Sequence, residues 1–199
     1  MESIEDDSWV KYLAKIERLS HKDVVERAVK RLPQTDCCVV DCGCADGRNS
    51  KYLIQQGFNV HAFDHKVNAV NVCRMRFHHN RNFAVCLSHV SNYIFPPNHL
   101  VVAFSSLYFN DAKTFAISWQ NLIRSIQEGG LFCGDFIGMK DTSEQQVNAC
   151  VLKFSKRELV NLFGSFELLE LHENETLGKD ILGQSHYHHT FTVLAQKRQ

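Results

Sequence analysis

The sequence lacks any long apolar run and any excess of charge of one sign. Its 199 residues include 22 basic and 22 acidic side chains, so the formal net charge is +0 at pH 7. A balanced charge gives no general attraction to nucleic acid or to an anionic membrane. No apolar stretch approaches the roughly 20 residues that span a bilayer, and the opening MESIEDDSWV does not resemble a secretory signal. We therefore expect a cytoplasmic protein, monomeric or homodimeric, with no nucleic-acid or membrane partner.

Proline is scarce, with three residues in the chain, whereas eight cysteines are present. In the cytoplasm these should mostly remain reduced thiols. Zinc sites usually repeat C-x2-C or C-x2-H pairs, but the spacings here are Cys37–Cys38 and Cys42-x-Cys44, with the other four scattered. Most of the cysteines lie in apolar runs, where this side chain behaves as a small buried hydrophobe. The cysteine pattern therefore predicts no metal site.

Short apolar runs alternate with helical patterns from about residue 37 onward. Seven runs have the pattern of strands: CCVVDC, NVHAFD, NFAVCL, LVVAFS, GGLFCGDFI, FELLEL and HTFTVLAQ. The last two follow each other without a helix, so they should pair antiparallel. Helices are expected at about 111–126 and after the capping box of Ser155 and Glu158. The pattern predicts an α/β fold, a Rossmann-like doubly wound seven-stranded sheet, mostly parallel with an antiparallel C-terminal strand.

The length fits a single domain over residues 1–199. Within it, residues 1–33 predict two helices. Trp9 and Tyr12 lie on an apolar stripe of the first helix, and Ser20 with Asp23 is the expected cap of the second, which Pro33 stops. This N-terminal helical segment is a candidate lid over a core at 37–196.

The junction from the first strand to the following helix carries Asp41-x-Gly43-x-x-x-Gly47. Glycines let the backbone pass close to a ligand, and a helix start offers amide donors to a carboxylate. Asp41 can pair with a ligand ammonium, and Asp64, at the end of the second strand, can accept hydrogen bonds from both hydroxyls of a ribose. One nucleoside that bears an amino acid, S-adenosylmethionine, meets all three demands.

These residues resemble the class I S-adenosylmethionine-dependent methyltransferases over roughly residues 37–196. Within that class, DGRNSKYLIQQGFNVHAFD at 46–64 resembles the tellurite-resistance methyltransferase branch and its bacterial relatives, which share G-R-N-S-x-Y-L. The ending HTFTVLAQKR and the segment SWVKYL are also similar to that branch. The resemblance implies in-line methyl transfer from S-adenosylmethionine to a small molecule, with S-adenosylhomocysteine as product.

A cofactor site at the strand ends follows from the resemblance. The expected cofactor-binding residues are Asp41, Gly43, Cys44, Ala45, Gly47, Asn49, Asp64, His65, Ser88, His89 and Ser105. The chain departs from the class after the third strand, where Ser88 and His89 replace the acid that often holds the adenine amino group. A second, milder departure is Glu128-Gly129-Gly130 in place of the usual Pro-Gly-Gly turn.

The catalytic residues stay open, with two candidates. Tyr108, after the fourth strand, either helps to wall the transfer site or is a core aromatic. The segment 173–187 is long for a hairpin connection and is expected to be a loop on the ligand side. On it, His186 is either a general base or an ordinary surface histidine. His186 and His188 would share one face of an extended segment, but no partner ligand for a metal can be named.

Two other functions are compatible with the pattern. One is a protein that binds S-adenosylmethionine without catalysis. The other is a dinucleotide-dependent oxidoreductase, which the sequence disfavours because such loops prefer G-x-G-x-x-G and Asp41 stands where the first glycine would be.

Overall fold

The computed structural model describes residues 13, 15, 16, 19–33, 37–142, 151–179, 183 and 185–199. Trp9 and Tyr12, predicted on the first helix, lie outside this part of the chain. The helices are α1 (Asp23–Val29), α2 (Arg48–Gln55), α3 (Val67–Phe77), α4 (Ala112–Ser125) and α5 (Lys156–Leu162). The strands are β1 (Cys38–Cys42), β2 (Asn59–Asp64), β3 (Phe83–Leu87), β4 (Asn98–Ala103), β5 (Ile126–Gly138), β6 (Lys153–Phe154), β7 (Phe166–Lys179) and β8 (Ser185–Lys197).

The strands form one mixed sheet in the order β3-β2-β1-β4-β5-β8-β7, and the short β6 pairs with β5. Strands β1 to β5 pair in parallel, whereas β8 is antiparallel to both β5 and β7. The predicted sheet is therefore confirmed, and the two-residue β6 is an addition to its seven strands. The order reverses between β1 and β4, which creates the crevice where ligands bind in sheets of this kind.

Alternating side chains of the central strands supply a core on each face of the sheet. Val40, Val101 and Phe132 pack on the face covered by α4 and α5, while their neighbours Val39, Val102 and Cys133 pack on the opposite face with α1 and α2. Successive residues of a strand point to opposite faces, so a sheet covered by helices on both sides needs apolar residues at nearly every position. This explains the continuous apolar runs of the sequence.

Helix α1 belongs to the core rather than standing free of it. Val25 and Ala28 are fully buried against the sheet, and Arg27 makes a forked ion pair with Glu170 of β7, with Arg27 Nη2 and Glu170 Oε2 2.7 Å apart. The predicted cap at Ser20 is wrong, because the N-cap residue is Lys22 and no side chain caps the helix there. A lid would therefore have to come from residues before α1.

Strands β7 and β8 form a long antiparallel hairpin that covers most of the segment expected to be a loop. Their pairing runs from Phe166 opposite Lys197 to Lys179 opposite Ser185. The prediction of a loop over 173–187 is thus wrong for most of its length, since β7 continues through Lys179. Polar residues on this exposed hairpin do not show the apolar alternation by which strands are recognised. β7 is the last strand of the sheet order.

Trp119 of α4 holds the centre of an aromatic cluster, with its ring 5.0 Å from Phe163, 5.3 Å from Phe132 and 6.0 Å from Phe136. The side chain is 2% exposed. We expect Trp119→Ala to lower the free energy of unfolding by about 3–5 kcal/mol, because it removes this packing and leaves a cavity.

The matched control is Ile117→Ala on the same helix, where the side chain is 54% exposed and the change should stay within about 0.5 kcal/mol. Urea titration followed by circular dichroism measures both variants. An equal effect of the two substitutions would contradict this account of the core.

Candidate functional site

Nearly all of the predicted cofactor-binding residues lie at the carboxyl edge of four neighbouring parallel strands. Asp41 is in β1, and the glycine loop 43–47 follows that strand. Asp64 ends β2, with His65 directly after it, while Ser88 and His89 follow β3 and Ser105 follows β4. The strand order β3-β2-β1-β4 makes these ends adjacent. The structure therefore brings together residues that are far apart in the sequence.

The glycine loop is hydrogen-bonded to the end of β2. The Ala45 amide donates to Asp64 Oδ2 over 3.0 Å, and the amides of Gly43 and Cys44 donate to the Phe63 carbonyl over 2.9 and 3.1 Å. The Lys66 amide donates to Asp64 Oδ1 over 2.9 Å. Each carboxylate oxygen keeps a further lone pair, so Asp64 can hold the loop and still accept hydrogen bonds from a ligand.

Two of the carboxylates at this edge are buried without a lysine or arginine partner in the described part of the chain. Asp41 and Asp64 are 2% and 3% exposed. In the described part of the chain no lysine or arginine pairs with either, and the nearest basic group is His65, whose Nδ1 lies 3.6 Å from Asp64 Oδ1. Asp41 Oδ2 accepts a hydrogen bond from the Ser50 hydroxyl over 2.6 Å. Buried carboxylates are normally paired, so this edge suits a ligand that carries positive charge and hydroxyl donors.

Burial raises the pKa of Asp41 to about 6, against a lowering contribution from the Ser50 hydrogen bond. The desolvated carboxylate is the less favoured form until a partner stabilises its charge. Asp41 is therefore partly protonated near pH 6 and ready to gain from a cationic ligand group.

A third acid, Asp46, was not predicted as a functional residue and behaves differently. It is 2% exposed, but Arg48 Nε lies 3.2 Å from its Oδ1 and Arg76 Nη1 lies 3.4 Å from its Oδ2. Arg76 also donates to the Asp46 carbonyl over 2.6 Å. Two arginines thus neutralise this acid within the protein, which leaves Asp41 and Asp64 as the acids available to a ligand.

The loop glycines are required by the packing of the protein itself. Gly43 and Gly47 have φ angles of +67° and +75°, which L side chains rarely adopt. A Cβ at Gly43 would lie 2.6 Å from Ser106 Cβ, and one at Gly47 would lie 2.7 Å from Phe77 Cε2. The sequence pattern suggested that these glycines serve ligand approach, whereas the contacts show that packing against Ser106, after β4, and against Phe77 of α3 already requires them. Ala45 has a φ of 48°, an uncommon conformation for a residue with a side chain.

Cys44 and Asn49 contribute in ways that the sequence did not indicate. The Cys44 side chain is buried and its Sγ lies 3.8 Å from Cys73 Sγ of α3, so only its backbone faces the loop's ligand side. Asn49 Oδ1 accepts a hydrogen bond from the Lys22 amide over 3.2 Å. Lys22 Nζ in turn lies 5.8 Å from the centre of the Phe104 ring. The residue before α1 therefore bridges the glycine-loop helix and the end of β4.

The ends of β2 and β3 present two imidazoles. The rings of His65 and His89 lie edge to face with centroids 6.3 Å apart, and the Ser88 amide donates to the Asp64 carbonyl over 2.9 Å. Burial lowers the pKa of His65, although the neighbouring Asp64 raises it. A partly exposed imidazole pair at this position can pack against a flat heterocycle.

The end of β4 carries strain and an unpartnered hydroxyl. Ser105 has a φ of 48°, and its amide donates to Asp135 Oδ1 over 2.7 Å. Burial raises the pKa of Asp135 to about 6. Ser106 Oγ is buried and has no hydrogen-bond partner within the described residues. A buried polar atom without a partner is costly, and a ligand beside the glycine loop would satisfy it.

The two catalytic candidates lie farther along the sheet. Tyr108 is 5% exposed, and its side chain packs with Ile137 and Val151, as expected of a core aromatic. His186 lies on β8 at 8% exposure, with its ring 3.7 Å from that of His188. The two histidines therefore share one face, as the extended pattern predicted. Both catalytic roles stay predictions.

Among the described residues no helix is long and apolar enough to cross a membrane. The basic segment at the end of α3 is likewise explained by local structure, since Arg76 is bound to Asp46 and Phe77 packs inward.

Known proteins are similar to this chain in sequence and in fold. The chain matches the family described as tellurite resistance protein TehB over residues 5–184. A relative described as probable S-adenosyl-L-methionine-dependent methyltransferase TehB, from Haemophilus influenzae (strain 10810), is 28% identical over 161 residues, which cover 77% of this chain and 53% of the relative. The chain thus spans about half the length of that relative.

Solved structures agree. TehB from Haemophilus influenzae superposes with a TM-score of 0.78 at 22% identity, over 94% of this chain and 66% of that one. The 1,6-didemethyltoxoflavin-N1-methyltransferase of Burkholderia thailandensis, solved with 1,6-didemethyltoxoflavin and S-adenosylhomocysteine bound, superposes with a TM-score of 0.68 at 14% identity, over 98% and 83%. At such identities the structures show the fold alone. The family match covers most of the sequence, and the chain therefore belongs to the TehB family of tellurite resistance proteins.

Proposed function

We propose that this protein transfers a methyl group from S-adenosylmethionine to a small-molecule nucleophile. The observation that carries the proposal is the pair of buried acids, Asp41 and Asp64, at adjacent strand ends without a lysine or arginine partner in the described chain. The relative's description as a probable S-adenosyl-L-methionine-dependent methyltransferase supports the same function. S-adenosylmethionine carries both an ammonium for Asp41 and ribose hydroxyls for Asp64, whereas a nicotinamide dinucleotide has no ammonium to offer.

In this proposal, each site residue binds a different part of the cofactor. Asp41 accepts a hydrogen bond from the ammonium of the amino-acid part, and Asp64 accepts hydrogen bonds from the two ribose hydroxyls. His65 and His89 flank the adenine, and Ser88 stands where an acid would otherwise bind the adenine amino group. The unpartnered Ser106 hydroxyl and the neighbouring Ser105 lie beside the amino-acid part. The burial of the acids excludes water, which strengthens each of these contacts.

S-adenosylmethionine supplies an electrophilic methyl group when it is bound. The residues of this chain then have one main task, which is to hold that methyl in line with the acceptor. Positioning of this kind can supply about 7–11 kcal/mol in well-oriented model reactions. A soft acceptor needs little more, while an oxygen or amine acceptor also needs a base. Tyr108 as a wall of the transfer site and His186 as that base stay predictions.

A small-molecule acceptor is favoured over nucleic acid. The chain has no net charge, and Arg76 of α3 is directed inward to Asp46. The toxoflavin methyltransferase with the same fold acts on a small heterocycle. The cytoplasmic location and the monomeric or homodimeric state expected from the sequence stay predictions.

Methyl transfer can be tested directly. Purified protein is incubated with methyl-labelled S-adenosylmethionine and a panel of small acceptors that includes thiols, selenium and tellurium oxyanions with a thiol reductant, phenols and amines. We expect S-adenosylhomocysteine to form with at least one soft or oxygen nucleophile. Cofactor binding without turnover on any acceptor would favour the non-catalytic alternative, and absorbance changes with a nicotinamide cofactor would favour the oxidoreductase.

Asp64→Asn should weaken S-adenosylhomocysteine binding about 10- to 100-fold, because hydrogen bonds to a charged group contribute about 1.5–3 kcal/mol each. The amide oxygen can still accept from the Ala45 amide, while the hydrogen bond from the Lys66 amide to Oδ1 is lost, so circular dichroism should confirm that the variant stays folded. Isothermal titration calorimetry measures the change, with Glu167→Gln on the exposed hairpin as the control. Unchanged affinity in Asp64→Asn would refute the assignment of this carboxylate to the ribose.

The raised pKa of Asp41, about 6 against an ordinary 3.8, gives binding a pH dependence. Affinity for S-adenosylhomocysteine should fall as the pH drops from about 7 to about 5, because protonation removes the charge that the ligand ammonium needs. The same shift makes the free energy of unfolding of the unliganded protein fall as the pH rises from about 4 to about 6, since the unfolded chain ionises first.

Asp41→Asn should flatten the pH dependence of binding and reduce that of the unfolding free energy, to which Asp135 also contributes. Asp135→Asn is the control, because Asp135 has a similarly raised pKa but is assigned no contact with the ammonium. If the pH dependence of binding disappears in Asp135→Asn and persists in Asp41→Asn, the two acids have been assigned the wrong way round.

A further inference from the structure

Three side chains of metal-binding type meet beyond the end of β5. They are Asp141, which follows that strand, and His186 and His188 near the start of β8. One potential ligand atom from each lies within 4.8 Å of the other two. We propose that these residues form a binding site for a divalent transition-metal ion of the zinc class.

The fold presents the two histidines as a pair. His186 and His188 are two residues apart in β8, so their side chains point to the same face of the strand. Their ring centroids are 3.7 Å apart. Across the hairpin, they pair with Gly178 and Thr176, two small residues that leave room on this part of the sheet.

The third ligand, Asp141, is held in position by the backbone of β8. The His189 amide donates to Asp141 Oδ2 over 2.9 Å. Beside it, the Thr142 amide donates to the Tyr187 carbonyl over 3.0 Å and the Tyr187 amide donates to Thr142 Oγ1 over 2.9 Å. These bonds attach residues 141–142 to β8 before any ion is bound. A carboxylate oriented by such an outer hydrogen bond is typical of metal ligands.

Burial supplies an independent reason for a ligand here. Asp141 and His186 are 2% and 8% exposed, and His186 Nδ1 has no hydrogen-bond partner within the described residues. An unsatisfied buried nitrogen destabilises the folded state, and such groups in native proteins call for an explanation. A bound cation would engage the imidazoles and the carboxylate, and it would give His186 Nδ1 the partner that it lacks within the described residues.

The chemistry of the ligand set selects the ion. Two imidazoles and one carboxylate are the three protein ligands of many zinc sites, which leave a further position for water or an anion. Imidazole suits Zn²⁺, Cu²⁺, Ni²⁺ and Fe²⁺, whereas Mg²⁺ and Ca²⁺ prefer oxygen ligands alone. The proposed site therefore discriminates against the two abundant alkaline-earth ions.

A neighbouring cluster of Glu173, Glu175 and His189 has similar geometry but is already satisfied. His189 Nδ1 accepts from the Lys140 amide over 3.1 Å and its Nε2 lies 3.1 Å from Glu173 Oε1. Glu175 accepts from Lys140 Nζ over 2.8 Å and from the Tyr187 hydroxyl over 2.6 Å. An ion there would have to displace these partners, so we assign the site to Asp141, His186 and His188 instead.

The assignment gives His186 a role that excludes its proposed one as a base. An imidazole nitrogen bound to a metal has no lone pair to accept a proton. Metal binding would instead fasten the segment after β5 to the start of β8, close to the edge of the sheet where the cofactor is expected.

Zinc binding by the full chain tests the inference without any cofactor. Protein stripped with a chelator is titrated with Zn²⁺ against a chromophoric chelator, and Co²⁺ serves as a spectroscopic probe. We expect one tight equivalent in the wild type. His186→Ala/His188→Ala should lose at least about 100-fold in affinity, because loss of an outer-shell partner alone costs about 10- to 100-fold. Asp141→Asn keeps an acceptor for the His189 amide and should also bind more weakly.

Glu173→Gln/Glu175→Gln is the matched control and should bind Zn²⁺ like the wild type, and all variants keep every cysteine. Equal affinity in the wild type and the histidine double variant would overturn the proposal, as would loss of binding in the glutamate control. Thermal unfolding with chelator present checks the fold of each variant. If the double variant does not fold, His188→Gln is titrated in its place, and Zn²⁺ should raise the melting temperature of the wild type and of the glutamate control but not that of His188→Gln.

Discussion

The hydrogen bond from the Ala45 amide to Asp64 joins the two strand ends on which the proposed cofactor site depends. With the two amides that bind the Phe63 carbonyl, it fixes the turn after β1 against the end of β2. The turn can adopt this path because Gly43 and Gly47 accept positive φ angles and tight neighbours. The geometry of the site is thus a product of backbone contacts, and the side chains that would touch a ligand are positioned by them.

The carboxylates at the carboxyl edge of the sheet differ in whether the protein itself neutralises their charge. Asp46 is paired with two arginines, whereas Asp41 is hydrogen-bonded by Ser50 and no lysine or arginine pairs with it within the described residues. Burial of an unpaired carboxylate opposes folding, and its raised pKa expresses that cost. Such a cost is common at binding sites, where a group is kept ready for a ligand at the expense of stability. At a second place in the fold, the buried nitrogen that has no partner within the described residues is His186 Nδ1.

Much of the fold could be predicted because both faces of the sheet are covered, so its strands appear as unbroken apolar runs. Asp41 and Asp64 could be found because each follows such a run. The hairpin beyond residue 172 could not, since its exposed residues carry no apolar alternation. Asp141 was missed as a partner of His186 because only the antiparallel crossing of β5 and β8 brings them together. The helix cap was misplaced because Ser20 lies outside the first turn of α1.

Strand β7 closes one side of the sheet, and its outer backbone groups have no neighbouring strand in the described chain. This strand carries four glutamates, at positions 167, 170, 173 and 175. Two copies that approached each other along this strand would bring like charges together, which disfavours the pairing of their edges. Glu170 and Glu175 are already paired with Arg27 and Lys140, so repulsion between two such edges would come mainly from the other two glutamates.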